Sequence, residues 1–276
     1  MSSVKIERLV SGTLIREGAG VKLHRYIGAD RSNLLEPILL FDYFNSNEVL
    51  DYMGGFPPHP HRGFETITYL LKGSITHEDN KGHKGTIGPG DVQWMTAGKG
   101  IMHSEMPSTE EEHLQGLQLW LNLPAAEKMR EPRYQELLSQ QLPIETHDSG
   151  VRIKVIAGLT DKGTSSPITD IATQPLFFDI HLPKGAKLTQ HIPEHYQAIL
   201  FVLSGTVSVE EQLLESNVLA VLSAHEQLNI KGEVASQCLL IAAKKLKEPI
   251  VRHGPFVMNT QEEIMQALSD LRMGLF

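Results

Sequence analysis

A chain of 276 residues, 41% of them hydrophobic, is long enough for one large domain or two of ordinary size with cores of their own. Its net charge of −8 argues against direct nucleic-acid binding, which needs a concentrated basic face. The 23 glycines and 15 prolines suit many short strands joined by turns, and no apolar run approaches the roughly 20 residues of a membrane span.

Taken in chain order, Met1-Ser2-Ser3-Val4-Lys5-Ile6-Glu7 lacks the basic-then-apolar order of a secretory signal, so a cytoplasmic location is expected, or a nuclear one in a eukaryote. Phe64-Glu65-Thr66-Ile67-Thr68-Tyr69-Leu70-Leu71 is a β-rich run stopped at Lys72-Gly73. Gly88-Pro89-Gly90-Asp91 turns into Val92-Gln93-Trp94-Met95, and the strand Gly116–Leu123 ends at Pro124. Residues 125–141, interrupted by Pro132, predict a short broken helix. Val151–Ile156 opens a second set of strands, in which Ala198–Leu203 runs into Ser204-Gly205 just as the first run met Gly73.

Aligning Gly73 with Gly205 places His191 on His59, Pro193 on His61, Gln197 on Glu65 and Phe201 on Tyr69, the mark of an internal duplication. In the second copy most of the polar inward residues are gone. Cys238, the single cysteine, falls in an apolar strand pattern and excludes an intrachain disulfide, so a metal is the better candidate redox centre. At the end, Thr260-Gln261-Glu262-Glu263 is a capping box, with Ile264, Leu268 and Leu271 on one helical face. The pattern predicts an all-β protein of two tandem β-barrels or jelly rolls with a short C-terminal helix. The expected division is 1–125 as a metal-binding barrel, 126–149 as a linker with a short helix, and 150–276 as a degenerate barrel plus the C-terminal helix. A monomer is expected, since two barrels can bury each other's faces.

The chemistry concentrates between Gly55 and Glu105. Residues two apart on a strand share a face, so His59 and His61 converge on one point, and His103 and Glu105 converge from another strand. Three imidazoles and a carboxylate suit a divalent first-row metal, and on an octahedral ion they leave two positions for water, oxygen or substrate. A lone His-X-His is more often a surface accident; the combination of two pairs raises it to a metal site. A second centre at His191, His195 and His225 lacks its ligands, because Pro193 and Gln197 occupy matching positions. His77, His83 and His113 read as solvated loop residues. Phe56, Phe64, Trp94, Met95 and Trp120 read as core, with alternate ones at a barrel mouth, and Lys99 and Arg62 as either gate residues or solvated charges.

Residues 55–66, Gly-Phe-Pro-Pro-His-Pro-His-Arg-Gly-Phe-Glu-Thr, and 90–107, Gly-Asp-Val-Gln-Trp-Met-Thr-Ala-Gly-Lys-Gly-Ile-Met-His-Ser-Glu-Met-Pro, resemble the signature segments of the pirin family of the cupin superfamily. Gly116–Leu123 and Arg252–Thr260 extend the likeness over almost the whole chain. The resemblance implies a bicupin fold with one mononuclear non-haem iron, Fe(II), held by His59, His61, His103 and Glu105 in the first barrel. Mn, Co, Ni, Cu and Zn fit the same donors. In many other cupins the carboxylate ligand lies just after the His-X-His, which here is Glu65, whose strand parity matches His61; the pirin pattern favours Glu105 and leaves Glu65 to orient a histidine ring. Two functions follow from the resemblance. One is a quercetin 2,3-dioxygenase-type enzyme that opens a flavonol with O2, with Glu105 as ligand and proton acceptor. The other is an iron-dependent binding protein that regulates a transcription factor or a metabolic enzyme.

Overall fold

The computed structural model describes residues 3–29, 35–224 and 227–276, so His225 lies outside the described residues. It divides into two compact units, one formed by Thr13–Ser139 with Leu246–Phe276 and the other by Met1–Gly12 with Gln140–Lys245. Both are antiparallel jelly rolls, each a seven-stranded sheet with a four-stranded sheet.

The first unit's large sheet runs in the order Arg133–Leu137, Val92–Thr96, Phe64–Lys72, Leu114–Asn122, Ile38–Ser46, Val21–Ile27, Thr13–Glu17. Its small sheet is Phe56–His61, Ile101–Pro107, Ile75–Asp79, Lys84–Ile87. The second unit repeats this order slot for slot. Its large sheet is Ile6–Ser11, Val218–Leu222, Tyr196–Ser204, Ser236–Lys244, Leu176–Leu182, Arg152–Ala157, Ile144–Thr146. Its small sheet is Lys187–His191, Gln227–Gly232, Thr206–Val209, Gln212–Glu215.

The duplication read from the glycine-ended strands is thus a duplication of backbone. Phe64–Lys72 and Tyr196–Ser204 are rich in β-branched and aromatic residues, which pack well on a pleated surface. Both stop where the chain needs a left-handed residue against a neighbouring carbonyl. Gly73 has φ +80°, and a Cβ there would sit 2.7 Å from the His113 oxygen. Gly205 has φ +78°, with the Ala235 oxygen 2.5 Å from the same point.

Two expectations need correction. The predicted helix over 125–141 is absent: Ala125–Glu127 and Ser139–Gln141 are single 3-10 turns, and between them Arg133–Leu137 pairs with Val92–Thr96 as an edge strand. Pro124 and Pro132 bracket too few residues for a stable helix, and an open sheet edge takes up the segment instead. The units also depart from the sequential division at 125 and 150. Ile6–Ser11 pairs with Val218–Leu222 in the second unit, and the C-terminal helix belongs to the first.

That helix, Gln261–Arg272, begins as expected. Thr260 Oγ1 accepts from the Glu263 N–H at 3.2 Å, and Glu263 Oε2 accepts from the Thr260 N–H at 3.0 Å. This reciprocal cap is worth ~1 kcal/mol. Ile264 and Ala267 are buried with Phe256, Met258 and Phe276, while Leu268 and Leu271 pack at the margin. Among the described residues no helix is long and apolar enough to cross a membrane.

Candidate metal centre

Phe56–His61 carries three prolines, which cannot donate to a ladder and so belong on an edge strand. It is the edge of the small sheet and pairs with Ile101–Pro107, setting His59 directly opposite His103. The rings converge, with centroids 4.7 Å apart for His59–His61, 4.5 Å for His59–His103 and 5.1 Å for His61–His103. One nitrogen from each lies within 4.8 Å of the others. His59 Nδ1–H donates to the Pro57 carbonyl at 2.8 Å, which leaves the Nε2 lone pair turned inward, 3.0 Å from His61 Nε2.

Burial holds the His61 pKa well below its ordinary value, aided by the neighbouring His103 and His59. Burial likewise lowers His103 to about 4. The buried rings are therefore neutral at physiological pH, the state in which imidazole coordinates. Both ring nitrogens of His103 and Nδ1 of His61 are buried without a hydrogen-bond partner. Orphaned groups of this kind cost roughly 1–3 kcal/mol each, and a cation between the rings satisfies the inward ones. The donor set fits a divalent metal.

Glu105 stands outside the set of converging nitrogens. The ladder slips between His103 and Glu105, and the carboxylate is buried with both oxygens accepting: Oε1 from Thr68 Oγ1 at 2.9 Å, Oε2 from Gln118 Nε2 at 2.8 Å. Gln118 Oε1 in turn accepts from Trp120 Nε1 at 3.2 Å. Thr68 and Gln118 were missed at the sequence level, although a glutamine inside the apolar run Leu117–Leu121 is a visible exception.

Glu65 faces away from the centre. Along Phe64–Lys72, Phe64 meets the His61 ring at 5.1 Å and Thr68 reaches Glu105, so the even positions look toward the histidines. Glu65 looks the other way, where Oε1 accepts from Thr96 Oγ1 at 2.7 Å and burial raises its pKa to about 7. Its apparent parity with His61 fails because Gly63, at φ +89°, breaks the strand between them.

Other expectations sort cleanly. His77 is buried, not solvated: Nε2 is 3.0 Å from Glu136 and the ring stacks on Tyr134. His83 is exposed beside Asp79, and His113 is half-buried against Asn45. His191 and His195 are exposed, and the metal-competent cluster among the described residues is His59, His61 and His103. Arg62 is no gate, since it is buried, ion-paired to Asp270 at 2.7 Å and stacked on Phe276; Lys99 pairs at the surface with Glu131. Trp94 and Met95 are core. Lys128, another residue the sequence reading missed, is fully buried and donates to the carbonyls of Gly63 and Val257 and to Asn122 Oδ1, pinning the turn behind His61. Burial pulls its pKa down to about 7.

A cavity of about 820 Å³ opens on His59 and His61, floored by Phe56, Gln118 and Trp120 and walled by Arg25, Asp42 and Arg252. It falls in the ~300–1,000 Å³ range of small-molecule sites.

Paired jelly rolls with a histidine cluster in one of them define a two-domain cupin. Residues 20–121 match the family model for Pirin and residues 177–276 that for the Pirin C-terminal cupin domain, and the chain belongs to the pirin family. It is 42% identical to the pirin-like protein of Caulobacter vibrioides over 98% of each chain. To the pirin of Homo sapiens it is 45% identical, over 98% of this chain and 93% of the other. A solved quercetin 2,3-dioxygenase from Acinetobacter baumannii superposes with a TM-score of 0.91 at 35% identity, covering 100% of this chain and 99% of that one.

Proposed function

We propose that this protein is a mononuclear non-haem iron oxygenase of the quercetin 2,3-dioxygenase type, cleaving a flavonol with O2 and releasing carbon monoxide. The observation that carries the reading is the open cavity ending on His59 and His61. Its aromatic floor and volume suit a flat three-ring molecule, whereas a partner-binding role needs only a surface patch over a closed barrel. The name of the Acinetobacter baumannii structure points the same way.

In this reading His59, His61, His103 and Glu105 hold the ion. When bound, iron supplies Lewis acidity toward oxygen donors and one-electron redox capacity. The chain does the rest. The Pro57 carbonyl fixes the His59 tautomer, and burial keeps His61 and His103 neutral. Thr68 and Gln118 aim the Glu105 carboxylate, which accepts the flavonol hydroxyl proton. Leu40, Phe56, Trp120 and Ile250 exclude water around the rings.

The test is oxygen uptake and carbon monoxide release with quercetin after iron reconstitution. Wild type is expected to turn over and His103→Ala is not. An iron-loaded wild type with no turnover rejects the flavonol reading.

A further inference from the structure

Four charged residues wall the cavity, and three of them are joined by direct side-chain hydrogen bonds. Arg25 grips Asp42 with both ends of its fork, Nε to Oδ1 at 2.8 Å and Nη2 to Oδ2 at 2.7 Å, and its Nη1 reaches Glu17 at 2.9 Å. Arg252 is left over. It makes no ion pair among the described residues, and its hydrogen bonds are two long ones to backbone, Nε to the Gly254 carbonyl at 3.3 Å and Nη1 to that of Leu39 at 3.5 Å. Nη2 has no partner there.

The guanidinium is nonetheless fixed. It lies over the Trp120 indole, 4.9 Å from the ring centroid, and Trp120 itself packs against His61 at 5.2 Å and Phe64 at 4.4 Å. Stacking occupies the face of a guanidinium and leaves its N–H edge available, the arrangement in which arginine takes a carboxylate with two parallel hydrogen bonds. Burial and the nearby Arg25 charge pull the Arg252 pKa below its ordinary value, against the opposing pull of the Asp42 and Glu17 carboxylates.

We propose that Arg252, seated on Trp120, is the specificity-determining cation of the cavity, and that the natural substrate is a flat aromatic molecule bearing a carboxylate. The proposal rests on the reading of the cavity as a substrate site for planar aromatics and makes quercetin a surrogate. The ring system lies toward Phe56 and the histidines, and the carboxylate toward Arg252. An occupied subsite repays the partly desolvated guanidinium, and a neutral ligand does not.

Binding separates this from catalysis. Isothermal calorimetry on iron-loaded protein compares 2-naphthoate with its neutral near-isostere 2-naphthamide. Wild type is expected to prefer the carboxylate by ~10-fold or more, the scale of a charge-assisted pair. Arg252→Gln abolishes the preference while leaving 2-naphthamide affinity and the melting temperature unchanged. Arg252→Lys, which keeps the charge and loses the fork, falls between, and serves alone if the glutamine variant does not fold. A single-oxygen anion, 4-nitrophenolate, gains less than 2-naphthoate. Equal binding of the naphthalene probes by wild type overturns the proposal, as does no binding of 2-naphthoate. So does a preference that survives in Arg252→Gln, which marks capture by the metal, or a phenolate favoured over the carboxylate. Failure of quercetin turnover leaves this readout intact, because it measures binding and not chemistry.

Discussion

The two jelly rolls share every strand slot and differ in what fills them. In the first, Thr68 reaches inward to hold Glu105. The second has Leu200 at the matching position, fully buried among Val202, Val207, Val209, Leu228 and Leu240. His59 faces His103 across its ladder, while His191 faces Gln227 and is exposed. A jelly roll can thus be built with an interior that is mainly aliphatic, and the first has given up part of that core for polar groups, several of them without partners. The difference teaches that the histidine cluster is no requirement of the fold. It is retained at a cost in stability that a bound ion offsets.

The largest effect that tests this contrast is on metal. His61→Ala is expected to weaken metal binding by more than about 100-fold, beyond what loss of an outer partner costs, with the β-sheet circular dichroism preserved. His191→Ala, at the position in the second copy that aligns with His59, should leave metal content unchanged. Metal analysis after dialysis checks both, and a full equivalent retained by His61→Ala contradicts the assignment. Next comes the aliphatic interior: Leu200→Ala should lower unfolding stability by roughly 2–5 kcal/mol, and Thr68→Ala on the matching strand clearly less, as read in urea titrations of the metal-free protein.

The smallest effect is one of pH. Glu65 has its pKa raised from 4.5 to about 7, so the folded state holds this proton more tightly than the unfolded chain. Its contribution is fully present below about pH 4.5 and is lost as pH rises to about 7. Wild type should therefore lose roughly 3 kcal/mol relative to Glu65→Gln between pH 4.5 and 8, with the two curves parallel above that window. His61 and His103, whose lowered pKa values act in the opposite sense, contribute equally to both proteins and cancel in the difference. A flat difference curve shows that Glu65 is not held neutral.

What the sequence disclosed was whatever depends on neighbours along the chain. The glycine stops at 73 and 205, the capping box at Thr260 and the His-X-His spacing are local, and each has the structure expected of it. Glu65 misled because alternation was carried across Gly63, where the strand breaks. His77 misled because its polar surroundings in sequence are replaced in space by Tyr134 and Glu136, brought in by an edge strand that the prolines had disguised as a helix. The cavity wall was invisible for a related reason, since Arg25, Asp42 and Arg252 come from distant segments and carry no shared spacing.

The exchange of chain segments between the units has a consequence for biosynthesis. Ile250, Arg252, Gly254 and Pro255 line the cavity, and Val257 supplies one of the acceptors that immobilise Lys128 behind His61. These residues leave the ribosome only after the whole of Gln140–Lys245 has been made. The strands bearing the histidines are translated early, yet their pocket has no finished wall until the second jelly roll has emerged. The cavity is thereby completed only late in translation, and the nascent half-protein has no finished pocket to offer a substrate.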